Sequence, residues 1–314
     1  MTANTTKTYQ LQTSDTQVNF LPSGDVSTIS HKNMMVNQLI GNAIDGSINN
    51  IFLRIFSNDK IDFYPLLGVK STSTFSTSAN KAKWAGTVHR IDYEVIFHLA
   101  NEQMWFWEVN LDGEQLDVDL VYGQDVGVAH LNALRSNEAY NAQYLDHAVF
   151  EDTIGFTVCT RQNQKQGDDF PYLQQGSLEK NVGYSTDGFQ FFGLSYKETD
   201  IPEALTKASL ANETYQYEFA YTALQSEKIS LTGKTSFVFY GAVASHHPNA
   251  VKSPLFIQEI QHAWDGIEKE EVSFKTIDSP QDPAFSGAGT ISSSSMTSAE
   301  LDALYPEKLL EEWD

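Results

Sequence analysis

The feature that most constrains the fold is a strict alternation of apolar and polar residues in many short stretches. In the stretch 91–99 (IDYEVIFHL), the odd-numbered residues are all apolar, whereas Asp92, Glu94 and His98 lie on the other face. Because side chains alternate between the two faces of a strand, this pattern predicts an antiparallel strand with one buried face. Similar runs, rich in aromatic and β-branched residues, occupy 48–56, 104–111, 114–123, 155–162, 188–197, 214–224 and 235–243.

Turn and helix signals are sparse between these runs. Asp112-Gly113 and Asp187-Gly188 each separate two strand-like runs and predict tight hairpins. Residues 128–148 predict a short helix or helical loop, and residues 201–210 predict one short surface helix with Pro202 in its first turn. We therefore expect a mainly-β fold: a large antiparallel two-sheet sandwich with a few short helices.

The composition changes near the C-terminus and suggests three regions. Residues 1–278 are expected to form the β-sandwich domain, and residues 279–297, rich in Ser, Gly and Pro, a linker. Residues 298–314 predict the start of a C-terminal helical linker, with Ser298 as the cap and Pro306 as the break. The apolar patch at the end of this segment leads us to expect that more chain follows it.

Charge and cysteine content exclude several classes of function. Lys and Arg number 20 against 41 Asp and Glu, giving a net charge of −21. An acidic surface repels nucleic acids and anionic membranes, so neither is an expected partner. The polar N-terminus lacks a signal-peptide pattern, and no apolar run reaches the roughly 20 residues of a membrane span. Cys159 is the single cysteine and is expected to be a core residue, which fits a cytoplasmic protein.

No motif in the sequence assigns a catalytic residue, a metal site or a cofactor. There is no phosphate-binding loop, no dinucleotide fingerprint and no nucleophile elbow. The adjacent pair His246-His247 would point to opposite faces of a strand and chelate poorly, so no metal site is expected. Carboxylates are too abundant for their number to select a catalytic pair.

Two stretches, 135–147 (RSNEAYNAQYLDH) and 161–172 (RQNQKQGDDFPY), concentrate amide, carboxylate and aromatic side chains. This mixture suits sugar recognition, in which amides and carboxylates bind hydroxyl groups and aromatic faces cover the ring. A structural role as polar loops that tie the two sheets together remains open as well. The candidate carbohydrate or interface residues are Arg135, Asn137, Glu138, Tyr140, Gln143, Tyr144, Asp146, His147, Arg161, Gln162, Asn163 and Gln164.

The same stretches carry a family resemblance. Strings such as NQLIGNAIDGS (37–47), LVYGQDVGVA (120–129) and GYSTDGFQFFG (183–193) resemble the N-terminal domain of 1,2-β-oligoglucan phosphorylases of glycoside hydrolase family 94. The resemblance covers roughly residues 18–250. It implies a supersandwich of the galactose mutarotase-like type, followed by a helical linker and an (α/α)6 catalytic barrel. In such enzymes phosphate, the co-substrate, attacks the anomeric carbon with inversion and gives α-glucose 1-phosphate.

The resemblance also implies a division of labour. The general acid and the phosphate site belong to the barrel, so they map onto no residue of this chain, and we expect no phosphorolysis by the chain alone. The sandwich is expected to contribute to assembly, as in a homodimer, and to the binding of β-glucan oligosaccharide. Proteins that synthesise cyclic β-1,2-glucan carry similar modules, and the sandwich alone does not separate them.

Two other functions remain open at this point. An independent sugar-binding module would need an exposed aromatic platform, for which Trp84, Trp105 and Trp107 are the candidates. A mutarotase-like epimerase would need a histidine and a glutamate that converge on the concave sheet face. The available histidines are His98, His130 and His147, and no spacing selects a pair.

Overall fold

A computed structural model describes residues 8–57, 60–268, 272–278 and 295–306. Within these ranges the strands are β1 (Tyr9–Gln12), β2 (Thr16–Phe20), β3 (Val26–His31), β4 (Met34–Met35), β5 (Asn50–Ser57), β6 (Lys60–Pro65), β7 (Thr74–Thr77), β8 (Lys81–Val88), β9 (Ile91–Leu99), β10 (Met104–Asp125), β11 (Ala129–His130), β12 (Leu145–Glu151), β13 (Phe156–Gln162), β14 (Tyr172–Ser177), β15 (Asn181–Asp187), β16 (Ala220–Ser226), β17 (Ile229–Ala244) and β18 (Lys275–Thr276). The helices are α1 (Leu131–Ser136), α2 (Glu138–Ala142), α3 (Gly188–Phe192), α4 (Tyr196–Thr199), α5 (Gln258–Asp265) and α6 (Ser298–Leu304), with one 3-10 turn at Glu203–Thr206.

The strands form two antiparallel sheets. The smaller sheet has the order β1-β2-β3-β4-β11. The larger has the order β12-β13-β14-β17-β10-β9-β8-β7-β18, and β5, β6, β15 and β16 join it along the second half of β10. The predicted mainly-β fold with two antiparallel sheets and few helices is confirmed, and the more specific name galactose mutarotase-like stays a prediction from the resemblance.

The long strand β10 overturns the first predicted hairpin. Its 22 residues run without reversal through Asp112 and Gly113, which were expected to form a turn. The reason is that β17 continues opposite them and pairs Gly113 with Gly233. The ladder shifts register only between Glu114 and Leu116, where Gln115 adopts a φ of 62° and forms a bulge.

The second predicted hairpin, at Asp187-Gly188, is also wrong. Asp187 ends β15 and caps α3, its carboxylate accepting the N–H of Gln190 at 2.8 Å. The run 188–197 therefore forms α3 and α4 instead of the expected strand. Gly188 lies so close to Phe219 that a Cβ atom would come within 2.2 Å of that ring, which explains why a glycine begins this helix.

The two predicted helical regions are confirmed in part. Residues 128–148 contain α1 and α2, but the expected helical loop ends early because β12 begins at Leu145 and pairs with β13. Residues 201–210 contain only a 3-10 turn that follows Pro202. Ala204 and Leu205 of that turn are buried, so it is not the surface helix that was predicted.

The three tryptophans that were candidates for a sugar platform lie in the hydrophobic core. Trp84, Trp105 and Trp107 are at most 2% exposed and pack with Phe20 and other rings between the sheets. The hypothesis of a sugar platform built on these three residues is therefore wrong. The burial of Trp105 and Trp107 was hard to predict because both faces of β10 are covered: the opposite face carries Met104 and Phe106, and the ring of Trp264 in α5 lies 5.3 Å from that of Phe106.

The C-terminal segment differs in one detail from its prediction. Helix α6 is capped by Thr297 and not by Ser298, because Thr297 and Glu300 form a reciprocal capping box. The helix ends before Pro306, as predicted. Most of the expected linker (279–294) and the last residues (307–314) lie outside the described residues. Among the residues that are described, no helix is long and apolar enough to cross a membrane.

Candidate functional site

The stretch 135–147 folds into two short helices at one end of the large sheet. Asn137 separates them and caps α2, its Oδ1 accepting the N–H of Tyr140 at 2.9 Å. Several of the predicted site residues in 135–144 are exposed, so this part of the candidate site lies on the protein surface. The candidates that are exposed there are Arg135, Asn137, Glu138, Tyr140, Gln143 and Tyr144.

Tyr140 and Tyr144 form an exposed ring pair on this surface. Their ring centroids lie 5.0 Å apart in an edge-on arrangement, and the Tyr144 hydroxyl donates to that of Tyr140 at 3.0 Å. The hydrogen bond to Tyr140 raises the pKa of Tyr144. The two rings of the pair remain 44% and 36% exposed.

Asp146 and His147 lie elsewhere, on β12, where they pair with Arg161 and Thr160 of β13. The His147 Nδ1 atom is 2.9 Å from Thr160 Oγ1, and burial lowers the pKa of His147 to about 4. His147 is consequently a neutral side chain held by the sheet at physiological pH.

The residues of the second stretch are engaged in holding the fold. Arg161 is buried, donates from Nε to the carbonyl of His247 at 2.6 Å and from Nη2 to that of Pro248 at 2.9 Å, and also bonds the side chain of Asn163. Gln162 is fully buried and donates to the carbonyl of Asn141 at 3.3 Å. Of this stretch, Asn163 is exposed and Gln164 half-buried. The structure places 161–164 beside 135–144, since the Asn163 backbone N–H donates to the Tyr144 carbonyl at 2.8 Å, and Asn163 is the member of 161–164 that is exposed there.

Gln143 instead borders a groove whose other lining residues were not among the predicted site residues. Its Nε2 donates to Glu218 Oε1 at 3.1 Å, and its carbonyl accepts the Nε2–H of Gln216 at 2.6 Å. The groove has a volume of about 620 Å³. We call it the aromatic-amide groove, and its lining residues are Gln143, Asp187, Phe189, Gln216, Tyr217 and Glu218.

Two exposed rings shape this groove. Phe189 is 51% exposed and Tyr217 is 57% exposed. Tyr217 stacks on Tyr215 with centroids 5.8 Å apart and planes 15° apart. Tyr215 and Tyr217 belonged to a run predicted as a strand, so their exposure was missed; the Tyr-x-Tyr spacing beside the polar residues Gln216 and Glu218 was the available signal.

The histidines do not assemble an open acid–base site. His98 lies 2.9 Å from Glu108, but this pair is covered by Trp264, whose ring is 5.7 Å from that of His98. His246 contacts Asp169 at 3.1 Å, and the His247 ring packs edge-on against Tyr172, so the adjacent histidines point to different neighbours. Within the described ranges, no group of three or more His, Cys, Asp or Glu is placed to hold a metal ion.

The fold and surface define the class of the molecule as an antiparallel β-sandwich domain with an exposed aromatic and amide face. The chain belongs to the family described as the SOGP N-terminal domain, which it matches over residues 19–241. It is 40% identical over 245 residues to a 1,2-beta-oligoglucan phosphorylase from Listeria innocua serovar 6a. The predicted resemblance to the N-terminal domain of such phosphorylases is confirmed.

The match covers 78% of this chain but only 22% of that relative, so the chain spans about a fifth of its length. Solved structures resemble it more distantly. A 4-alpha-glucanotransferase from Thermococcus litoralis has a TM-score of 0.37 at 7% identity, over 76% of this chain and 38% of that one. A heparan sulfate lyase HepC mutant from Pedobacter heparinus has a TM-score of 0.42 at 8% identity, over 78% and 36%. At these scores we assign no property of the chain from either structure.

Proposed function

We propose that this chain is the N-terminal, non-catalytic domain of a cytoplasmic β-1,2-oligoglucan phosphorylase. The observation that carries the proposal is the 40% identity to the Listeria phosphorylase within the SOGP N-terminal family. In this role the domain contributes to carbohydrate binding and to assembly with an (α/α)6 barrel and with a second subunit. The proposed phosphorolysis releases α-glucose 1-phosphate and uses inorganic phosphate as co-substrate, without a further cofactor.

The chemistry of the described residues supports an accessory role. Phosphorolysis needs a carboxylic acid beside the glycosidic oxygen and cationic groups for phosphate. The exposed face formed by Tyr140, Tyr144 and the aromatic-amide groove instead offers neutral rings, amides and carboxylates. Such a face suits the hydroxyl groups and the apolar side of a neutral sugar better than it suits a phosphate anion.

A phosphorolysis assay that measures the release of glucose 1-phosphate tests this proposal. The complete protein that contains this chain is incubated with β-1,2-gluco-oligosaccharides and inorganic phosphate, and α-glucose 1-phosphate is measured. Activity is expected for the complete protein and not for residues 1–314 alone. Cello-oligosaccharides are the matched control for linkage. A complete protein that acts on cello-oligosaccharides alone, or on neither series, would refute the proposed activity.

Assembly is tested separately by sedimentation velocity. A homodimer of the complete protein supports the proposed role in assembly if substitution of exposed residues of this domain shifts the protein to monomer. A complete protein that stays monomeric at all accessible concentrations would contradict that role and leave the phosphorolysis assay unaffected.

A further inference from the structure

We propose that the aromatic-amide groove is a binding site for a β-linked gluco-oligosaccharide on the sandwich domain itself. Asp187 would accept a sugar hydroxyl, and the rings of Phe189 and Tyr217 would cover the apolar side of a pyranose. The inference rests on the proposed function for the identity of the sugar. The evidence for a ligand at this place is independent of it.

The first evidence is an unsatisfied acceptor in the groove. Asp187 is 3% exposed, and its Oδ2 accepts the N–H of Gln190. Its Oδ1 is buried and has no donor within full hydrogen-bond geometry among the described residues, although the backbone N–H of Phe189 lies near enough to the carboxylate to oppose the rise of its pKa. Burial raises the pKa of Asp187. Since a buried polar atom without a well-formed hydrogen bond costs free energy, a hydroxyl that enters the groove completes the hydrogen bonding of this oxygen.

Access to this atom requires a small rearrangement. Oδ1 lies beneath the groove surface, so a hydroxyl reaches it only after a neighbouring side chain shifts. Phe189 follows Asp187 by two residues in α3 and is half exposed. Exposed side chains change rotamer within nanoseconds.

The second evidence is the pair of rings. Tyr217 and Phe189 are each more than half exposed, and Phe189 packs edge-on against Phe219 with centroids 6.0 Å apart. Tyr217 is held by its stack on Tyr215, whose hydroxyl donates to Glu213 at 2.9 Å. A ring fixed in this way loses little conformational entropy when a sugar covers it.

The third evidence is the charge of the groove. Its polar lining consists of the amides Gln143 and Gln216 and the carboxylates Asp187 and Glu218, with no cationic side chain among the lining residues described. The chain as a whole carries a net charge of −21. This field repels phosphorylated and acidic saccharides and favours a neutral one. Hydroxyl donors match the carboxylates, and the hydrogen bonds between Gln143, Gln216 and Glu218 hold the rim in one arrangement.

Calorimetric titration of the 314-residue chain tests the inference. The probes are β-1,2-gluco-oligosaccharides of three to six residues, with cello-oligosaccharides for comparison. The variants are Tyr217→Ala, which removes a ring, and Asp187→Asn, which keeps an oxygen to cap α3 but removes the charge. Tyr305→Ala is the matched control, because Tyr305 is 59% exposed and lies outside the groove.

Saturable binding by the unaltered chain is expected, with affinity reduced about tenfold or more in each groove variant and unchanged in the control. Thermal unfolding curves establish that each variant is folded, and Tyr217→Ala tests the site even if Asp187→Asn weakens the cap. Absence of saturable binding at millimolar sugar, or equal affinities for all variants, would overturn the groove. Neither result would alter glucose 1-phosphate release by the complete protein, so the two proposals fail separately.

Discussion

Arg54 and Asp119 form a bidentate ion pair in which neither side chain is exposed to solvent. Arg54 donates from Nε to Oδ1 at 2.7 Å and from Nη2 to Oδ2 at 2.5 Å. The two residues are paired across the neighbouring strands β5 and β10. The Gln225 side chain also donates a hydrogen bond from Nε2 to Asp119 Oδ2 at 2.9 Å. Arg54 also donates to the carbonyl of Lys207 at 2.6 Å, so the pair anchors the connection between α4 and β16.

We predict that Asp119→Ala destabilises the domain strongly. The substitution leaves a buried guanidinium without its counter-charge, which costs about 3–5 kcal/mol of unfolding free energy. Urea denaturation measures this change. Glu227→Ala is the control, because its ion pair with Lys180 is exposed and contributes less than about 1 kcal/mol. Equal losses in the two variants would show that the buried pair has no special importance.

The single thiol is predicted to be unreactive in the native state. Cys159 is fully buried, and burial raises the pKa of its thiol to about 12. Because the thiolate is the reactive form, a thiol reagent at pH 8 should label the native chain only at the rate at which it unfolds. Labelling in denaturant should be rapid and serves as the control. Rapid labelling of the folded chain would contradict the burial of this residue.

His147 predicts a pH dependence of stability. Its folded pKa of about 4 lies below the ordinary value of 6.5, so the folded state binds this proton less readily than the unfolded state. Its contribution to stability is complete above pH 6.5 and is lost as the pH falls from 6.5 towards 4, at no more than about 1.4 kcal/mol per pH unit.

The His147→Gln variant isolates this contribution. Urea denaturation at pH 7.5, 6 and 5 should show the unaltered chain losing more stability than the variant as the pH is lowered. Parallel losses in the two proteins would mean that His147 keeps an ordinary pKa in the folded state.

Arg161 is predicted to stabilise the fold rather than to bind a ligand. Arg161→Ala removes two charge-assisted hydrogen bonds to the carbonyls of His247 and Pro248 and a contact over the Phe170 ring. A loss of about 2–4 kcal/mol of unfolding free energy is expected, since hydrogen bonds to a charged group contribute about 1.5–3 kcal/mol each and do not add fully. Unchanged stability together with weaker oligosaccharide binding would instead assign Arg161 to a ligand site.

The local sequence pattern predicted the strands well where apolar and polar residues alternate regularly. β9 begins at Ile91 and ends at Leu99, as its alternation indicated, and the buried faces of β13 and β17 lie in predicted runs. The predictions failed where a strand that is distant in the sequence determines the local conformation. Asp112-Gly113 is a dipeptide typical of hairpin turns, yet hydrogen bonding to β17 keeps it extended. The residues around Asp112 do not indicate that β17 will pair with them.

The candidate surface was predicted only in its local part. Tyr140, Gln143 and Tyr144 belong to one continuous polar and aromatic stretch, so the sequence pointed to them. Asp187 and Tyr217 join them only because β15 and β16 pair and bring their ends to the same place. The spacing of these residues in the sequence does not indicate that they lie close together in the fold. The alternation of aromatic residues around Phe189 also favoured a strand, whereas Phe189 lies in a helix.

The length of β10 has a consequence for how the chain is made. Its 22 residues extend for about 70 Å and have β9 and β5 along one edge and β17 and β16 along the other. During synthesis the first edge is covered as soon as β10 emerges, since β5 and β9 precede it. The second edge is not fully paired until the ribosome has added about 120 further residues, ending at Ala244. Throughout that interval the nascent chain exposes an unpaired strand edge, and a pause in translation there would favour aggregation.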